Sequence, residues 1–314
     1  DIIYYQDMQI PGYANISDLL NIMLSDNRQN MAQLQSGEYV NLLPTKKFQL
    51  PVDRAAVLAN NVVPEAWEET IVDTMQWDYT LNYVSRAELS MMAILVNNNW
   101  ERPVYFTTTT PDENNIGLGK YLVSEGFALR LMPINTGLEP DEYGTIANTD
   151  VLYDAIVNKY QWGNIAHSKY LDPDSYRYIS LYVSSIFGEA AQGLLSDDRN
   201  EEAHNVVRNA YDNMPKKTFS MSEPMSYTML LDAMYRVGEK EKAQEIMRRH
   251  TKFIAENLRY YMAVAETKAS RESSKIRMGL SGLLRLQQVV ETHNDNDLKP
   301  EFEKLIEEFS FLMR

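Results

Sequence analysis

The chain has 314 residues, more than a usual single domain, so two domains are expected. Hydrophobic residues make up 44% and charged residues 24%, the composition of a chain with a sizeable core, not a disordered one. The formal charge of −14 is not gathered into an acidic tail, and it opposes phosphate backbones and anionic lipid surfaces, which excludes nucleic acid as a partner class.

No stretch approaches the eighteen apolar residues of a membrane span. The chain opens at Asp1 with neither Met nor a signal-type segment, and reads as a piece of a longer protein whose membrane part would lie upstream. It has no Cys, which excludes disulfides, thiolate metal sites and cysteine nucleophiles together. Twenty Tyr stand against nine Phe. An apolar ring with a polar tip suits the half-exposed rims of packed helices, and secondarily stacking against a sugar or a peptide.

In chain order, Ile2 to Tyr5 reads as a short strand, and the spacing of Leu19, Leu20, Met23 and Leu24 predicts a helix over 17–24. Lys47 to Val52 alternates and holds Pro51, which predicts an edge strand. Asp53 would cap a helix through Ala55, Ala56 and Leu58. Tyr79 to Val84 has strand composition. Ser85-Arg86-Ala87-Glu88 then has the capping-box pattern, ahead of the apolar run Leu89 to Val96. Asn97-Asn98-Asn99 would stop that helix, because Asn tolerates the left-handed conformation. Pro103 to Thr108 reads as a buried strand, Leu118 to Ser124 as a helix ending at Gly126, and Phe127 to Met132 as a strand. Strand, helix, strand, helix, strand at this spacing predicts parallel strands with right-handed crossovers.

From Asp172 onward helices dominate and a TPR-like repeat emerges. Ala203, Ala210 and Pro215 keep the TPR spacing in the first helix pair, and Gly238 precedes Ala243 by the turn-to-helix spacing in the second. A third pair would run from Ile276 to Glu291, through the polar turn His293 to Asp297, then from Pro300 to Met313, with Pro300 in the first helical turn. The expected architecture is a three-layer-like α/β part built on βαβ units over residues 1–170, followed by an all-α TPR-like helical repeat over 171–314.

The chain carries no recognisable catalytic constellation. Its four histidines, His167, His204, His250 and His293, lack metal-ligand spacing, and His204 and His250 are expected on solvent-facing helix positions. Gly117-Leu118-Gly119-Lys120 lacks the phosphate-loop pattern and reads as a flexible entry to a helix. There is no Gly-x-Ser-x-Gly elbow. Glu65, Glu68, Glu69 and Asp73 form a solvated acidic face, and Asp172-Pro173-Asp174 an inter-domain turn and helix cap. No catalytic residue, metal site or cofactor is therefore expected.

The string Asn97-Asn98-Asn99-Trp100-Glu101-Arg102-Pro103-Val104-Tyr105-Phe106 reads as a helix stop, a Trp anchor and an Arg able to pair with Glu101. Together with Ile116 to Leu122, Phe127 to Ile134 and Leu43 to Asp53, it resembles a family of multi-spanning bacterial membrane proteins. That family is similar in its membrane half to protein O-mannosyltransferase-type glycosyltransferases. The resemblance covers roughly residues 1 to 135. It implies a region on the periplasmic side of the inner membrane, meeting the membrane only through the N-terminal half that is not in this chain. The catalytic acid of such an enzyme would also lie in that half, so no catalytic residue carries over to these 314 residues.

Two binding readings follow. In the first, the helical array holds an acceptor protein, peptide or partner subunit, with Gln192, Thr228, Asp232 and Tyr235 on the groove-lining helices. In the second, a sugar or nucleotide-sugar-like ligand sits at the carboxyl ends of parallel strands, against Thr107, Thr108, Asn114 and Asn115.

Overall fold

The computed structural model describes residues 2–110, 112–135, 146–163 and 165–310. The chain divides into two units, Asp1–Ile146 and Ala147–Arg314. This division lies earlier than the change of composition near residue 170. The helix α4 (Thr149–Asp154) and the π-helical turn Ala155–Lys159 belong with the later helices, because Leu152 and Ile156 are buried in the same core as α5 (Pro173–Ser196) and α6 (Asn200–Asn213). Asp172 and Pro173 consequently lie inside the second unit, at the start of α5.

The first unit contains β1 (Ile3–Tyr5), β2 (Ala14–Asn15), α1 (Ile16–Met23), β3 (Met31–Gln33), β4 (Tyr39–Leu43), β5 (Lys47–Pro51) and α2 (Arg54–Ala59). After these come β6 (Thr74–Asp78), β7 (Tyr83–Val84), α3 (Arg86–Asn98), β8 (Tyr105–Thr107), β9 (Leu122–Ser124) and β10 (Ala128–Leu131), with β11 (Ile146–Ala147) at the division. One sheet has the order β3-β4-β1-β7 and another the order β2-β5-β6; in a third, β10 lies between β9 and the terminal strand β8. The sheets are mixed: β1 pairs parallel with β4 and β2 with β5, while β5–β6, β8–β10 and β9–β10 are antiparallel. The core gathers Phe48, Trp77 and Tyr79, whose rings stack or meet edge-on 5.2 to 5.8 Å apart.

Local signals are realised closely here. Asp53 Oδ1 accepts the Ala56 N–H at 3.1 Å. Ser85 Oγ accepts from Ala87 N while Glu88 Oε2 accepts from Ser85 N at 2.7 Å, closing the capping box of α3. Asn99 ends α3 in the left-handed conformation.

Four expectations fail. Lys47–Pro51 is the central strand of its sheet; Pro51 is tolerated because β2 reaches only Phe48 and Gln49, so the missing N–H falls beyond the ladder. Residues 118–124 form a short 3-10 turn at Gly119–Tyr121 and then β9, whose three residues are all buried. Gly126, at φ 101°, turns the chain directly back into β10, so the two strands pair as an antiparallel hairpin and no parallel crossover forms. Finally, Pro103 to Thr108 yields only the short strand β8, exposed at Tyr105 and Thr107 instead of buried.

The second unit continues through α7 (Glu223–Arg236), α8 (Lys240–Thr292) and α9 (Lys299–Phe309), so the expected last helix is seen to Phe309, and its end beyond residue 310 lies outside the described residues. A straight helix of 53 residues would be about 80 Å long at 1.5 Å per residue. Yet Gln244 Nε2 is 2.8 Å from Asp295, and a Cβ on Gly279 would lie 3.2 Å from Leu258. The helix α8 therefore doubles back between Leu258 and Gly279, and its two arms match the expected second helix of one pair and first helix of the next. Small residues set the approach of the helices. Ala203, Ala210 and Ala243 are fully buried, and a Cβ on Gly188 of α5 would fall 2.8 Å from that of Met229 on α7. Among the described residues no helix is long and apolar enough to cross a membrane.

Candidate functional site

Three of the four groove residues read from the helical repeat meet in one polar network. Gln192 Nε2 on α5 donates to Asp232 Oδ2 at 2.6 Å and to the Met229 carbonyl at 3.0 Å, and its Oε1 accepts from Arg236 Nη1 at 2.6 Å. The other oxygen of Asp232 lies 2.7 Å from His293 Nε2. A carboxylate only accepts, so this nitrogen carries the proton. The His293 ring stacks on Tyr235, with centroids 4.5 Å apart and planes 7° from parallel. The Tyr235 hydroxyl donates to Asp295 Oδ2 at 2.5 Å.

Asp295 is the centre of this arrangement. It is buried, and it also accepts from Gln244 Nε2 and from the Asp297 N–H, with Lys240 Nζ 3.3 Å away. Burial opposes its ionisation, but these donors outweigh burial and hold its carboxyl down at about 2. The same contacts, with burial foremost, push the Tyr235 hydroxyl up. The polar turn His293 to Asp297 thus fastens the end of α8 to α7 and to the start of α8. Gln192, Asp232 and Tyr235 are engaged with protein partners, and Thr228 Oγ1 bonds back to the Pro224 and Met225 carbonyls within α7. The partners of this network lie on α5, α7, α8 and the turn after it, so it holds these helices together.

One histidine departs from expectation. His250 is fully buried, not solvent-facing: its Nδ1 meets Thr218 Oγ1 at 3.0 Å, and its ring packs edge-on against Tyr227. Burial, reinforced by the nearby Arg249, holds its pKa well below the usual value. His204 Nε2 is 2.7 Å from Glu239 Oε1. Among the described residues no group of three or more His, Asp or Glu could hold a metal ion.

The residues read as an alternative ligand site separate into two kinds. Asn115 is buried and structural. Its Oδ1 accepts the Gly117 N–H at 3.1 Å in a turn where Ile116 and Gly117 both have positive φ. Only glycine suits position 117, because a Cβ there would lie 2.1 Å from the Asp78 carbonyl oxygen. Thr108 closes the end of the β8–β10 ladder, with Oγ1 3.4 Å from the Phe127 carbonyl. Thr107 and Asn114, in contrast, line an open cleft of about 490 Å³, within the size range of binding pockets.

One wall of this cleft is α3, through Met91, Ile94 and Leu95; the other is Val104 to Thr107 along β8, with Thr110 and Asn114 at one end. Its surface is mainly apolar, and Ile94 leaves 55% of its area exposed there. The motif Asn97 to Arg102 builds the corner joining the walls. Asn98 Nδ2 donates to the Arg102 carbonyl at 2.7 Å and Asn98 Oδ1 accepts the Arg102 N–H at 3.2 Å, while Trp100, in the left-handed region, is buried. Nothing in the sequence marks the α3 wall. Leu89 to Val96 reads as core, and periodicity alone does not separate an apolar side chain facing a cleft from one facing the interior.

Residues 1–151 match the family described as TMEM260-associated domain 2. No curated protein and no solved structure matches the chain.

Proposed function

We propose that this chain is a non-catalytic binding domain of a larger membrane protein and that the α3–β8 cleft is where it holds a polypeptide partner, an acceptor or a companion subunit. The cleft carries the reading: an open, mostly apolar groove of peptide-binding size, walled by a helix and an edge strand. The similarity of residues 1–151 to a TMEM260-associated domain supports its place in such a protein. In the setting that the sequence resemblance implies, the domain stands on the periplasmic side and presents the partner to a glycosyltransferase-like membrane half. The TPR-like helix pairs of the second unit then serve as scaffold, since their groove residues are taken up by one another.

The test uses the full-length membrane protein. Ile94→Asp would place a charge in the cleft without touching the buried core, and partner binding and glycosylation should fall at least tenfold with folding unchanged by circular dichroism. Unchanged binding would remove the cleft from the account. Deleting residues 147–314, the whole second unit, tests whether the helical unit contributes contacts of its own.

The polar end of the same cleft supports a second reading. Thr107, Thr110 and Asn114 converge beside the exposed ring of Tyr105, a combination suited to a sugar. A glycan array probed with the isolated chain separates the two: saturable glycan binding abolished by Asn114→Ala favours the sugar.

A further inference from the structure

We propose that the cleft takes its partner as an added β-strand, an extended segment whose main chain hydrogen-bonds to the open edge of β8. This rests on the reading of the cleft as a polypeptide site, and it specifies how the segment is recognised.

Among the described residues β8 ends its sheet and pairs only with β10. The phase of that ladder is fixed, because the Val104 carbonyl accepts from Leu131 N at 2.9 Å and Thr108 N donates to the Phe127 carbonyl at 3.3 Å. In an antiparallel pair alternate residues turn their main-chain groups inward. Val104, Phe106 and Thr108 therefore face β10, while Tyr105 and Thr107 face away. The Thr107 carbonyl already accepts from Thr110 N at 2.9 Å. That leaves the Tyr105 N–H, the Tyr105 C=O and the Thr107 N–H; among the described residues no hydrogen bond is made to any of them.

The shape of the cleft agrees. Neighbouring side chains of a strand point to opposite faces, so a groove touched by four successive residues, Val104 to Thr107, runs along the edge of β8 and not over either face. Across it stands the apolar wall of α3. A segment lying there would satisfy the three main-chain groups and turn alternate side chains toward Met91, Ile94 and Leu95. Charge defines the ends of the segment. The first unit holds most of the chain's excess of acidic residues, so Lys or Arg flanking an alternating apolar and polar core is the favoured partner. A second copy of this chain is disfavoured by the same charge.

The experiment uses the 314-residue chain and synthetic decapeptides that alternate Leu, Val, Phe or Tyr with Thr, carry Lys at both ends, and are titrated by fluorescence polarisation. The tightest binder is then N-methylated at one amide at a time. Strand addition predicts that methyl groups on alternate amides weaken binding at least tenfold, while those on the intervening amides change it less than twofold. On the protein, Thr107→Pro removes an outward N–H without disturbing the ladder to β10, and should weaken binding about fivefold or more where Thr107→Ala does not. Binding that is indifferent to which amide is methylated overturns strand addition and leaves the cleft reading standing. Absence of binding by every peptide, or a chain that dimerises through β8 in sedimentation, overturns both.

Discussion

Glu223 opens α7 with its carboxyl buried and one carboxylate oxygen accepting the Phe219 N–H at 2.7 Å. Burial dominates and raises its pKa to about 7, although the main-chain donors of Phe219 and Ser220 pull the other way. An acid whose folded pKa is raised holds its proton more tightly in the fold, so its penalty is absent below the ordinary value of 4.5 and grows as pH rises to about 7. Glu223→Gln should therefore stabilise the protein at pH 8, by on the order of 1 to 3 kcal/mol, and leave it unchanged near pH 4; urea unfolding at the two pH values reads the difference. His250 acts in the opposite sense. Kept neutral by burial, it loses stability as pH falls below 6.5, where the unfolded chain takes up a proton. Asp295 illustrates the third case, a carboxyl held low by donors. Its stabilisation is present above 3.8 and lost as pH falls through about 2. Asp295→Asn should cost about 2 kcal/mol at pH 7, and that difference should vanish in the acid limb of the unfolding curve.

Capping chemistry was the part of the elements most legible in the sequence. The Ser85–Glu88 box, the Asp53 cap, the Asn99 stop and the glycine turn at Gly238 depend on residues within five positions of one another. The pairing direction of β8, β9 and β10 was not legible, because it depends on a turn at Gly126 and on burial of Leu122 to Ser124 by residues distant in sequence. His250 was likewise misplaced: its polar side chain suggested an exposed position, although it shares a helical stripe with the buried Ala243, Met247 and Ile254 and packs against Tyr227. Of the residues lining the candidate cleft, Thr107 and Asn114 were singled out from their place at or after the end of a strand expected to be parallel, but the α3 wall opposite them was not. The tight turn before β9 gives an element-scale test. Gly117→Ala would force a Cβ against the Asp78 carbonyl at a positive φ, and should destabilise the first unit by at least about 2 kcal/mol, read as a lowered thermal midpoint.

Each unit has its own buried cluster, one around Phe48, Trp77 and Tyr79 and the other running through α4 to α9. Calorimetry should accordingly resolve two transitions, with Gly117→Ala lowering one and Asp295→Asn the other. A single transition shifted equally by both variants would count against separate cores. The doubled-back α8 also bears on the order in which the helical unit assembles. Most of its packing joins helices that follow one another along the chain, the local kind of contact that forms early and fast. The Asp295 turn is different, since it meets Tyr235 and Gln244 only after some fifty residues have gone out and returned. That long closure can form only once both arms of α8 are in place, so the turn acts as a late latch. In kinetic experiments Asp295→Asn should accelerate unfolding while leaving the refolding rate nearly unchanged.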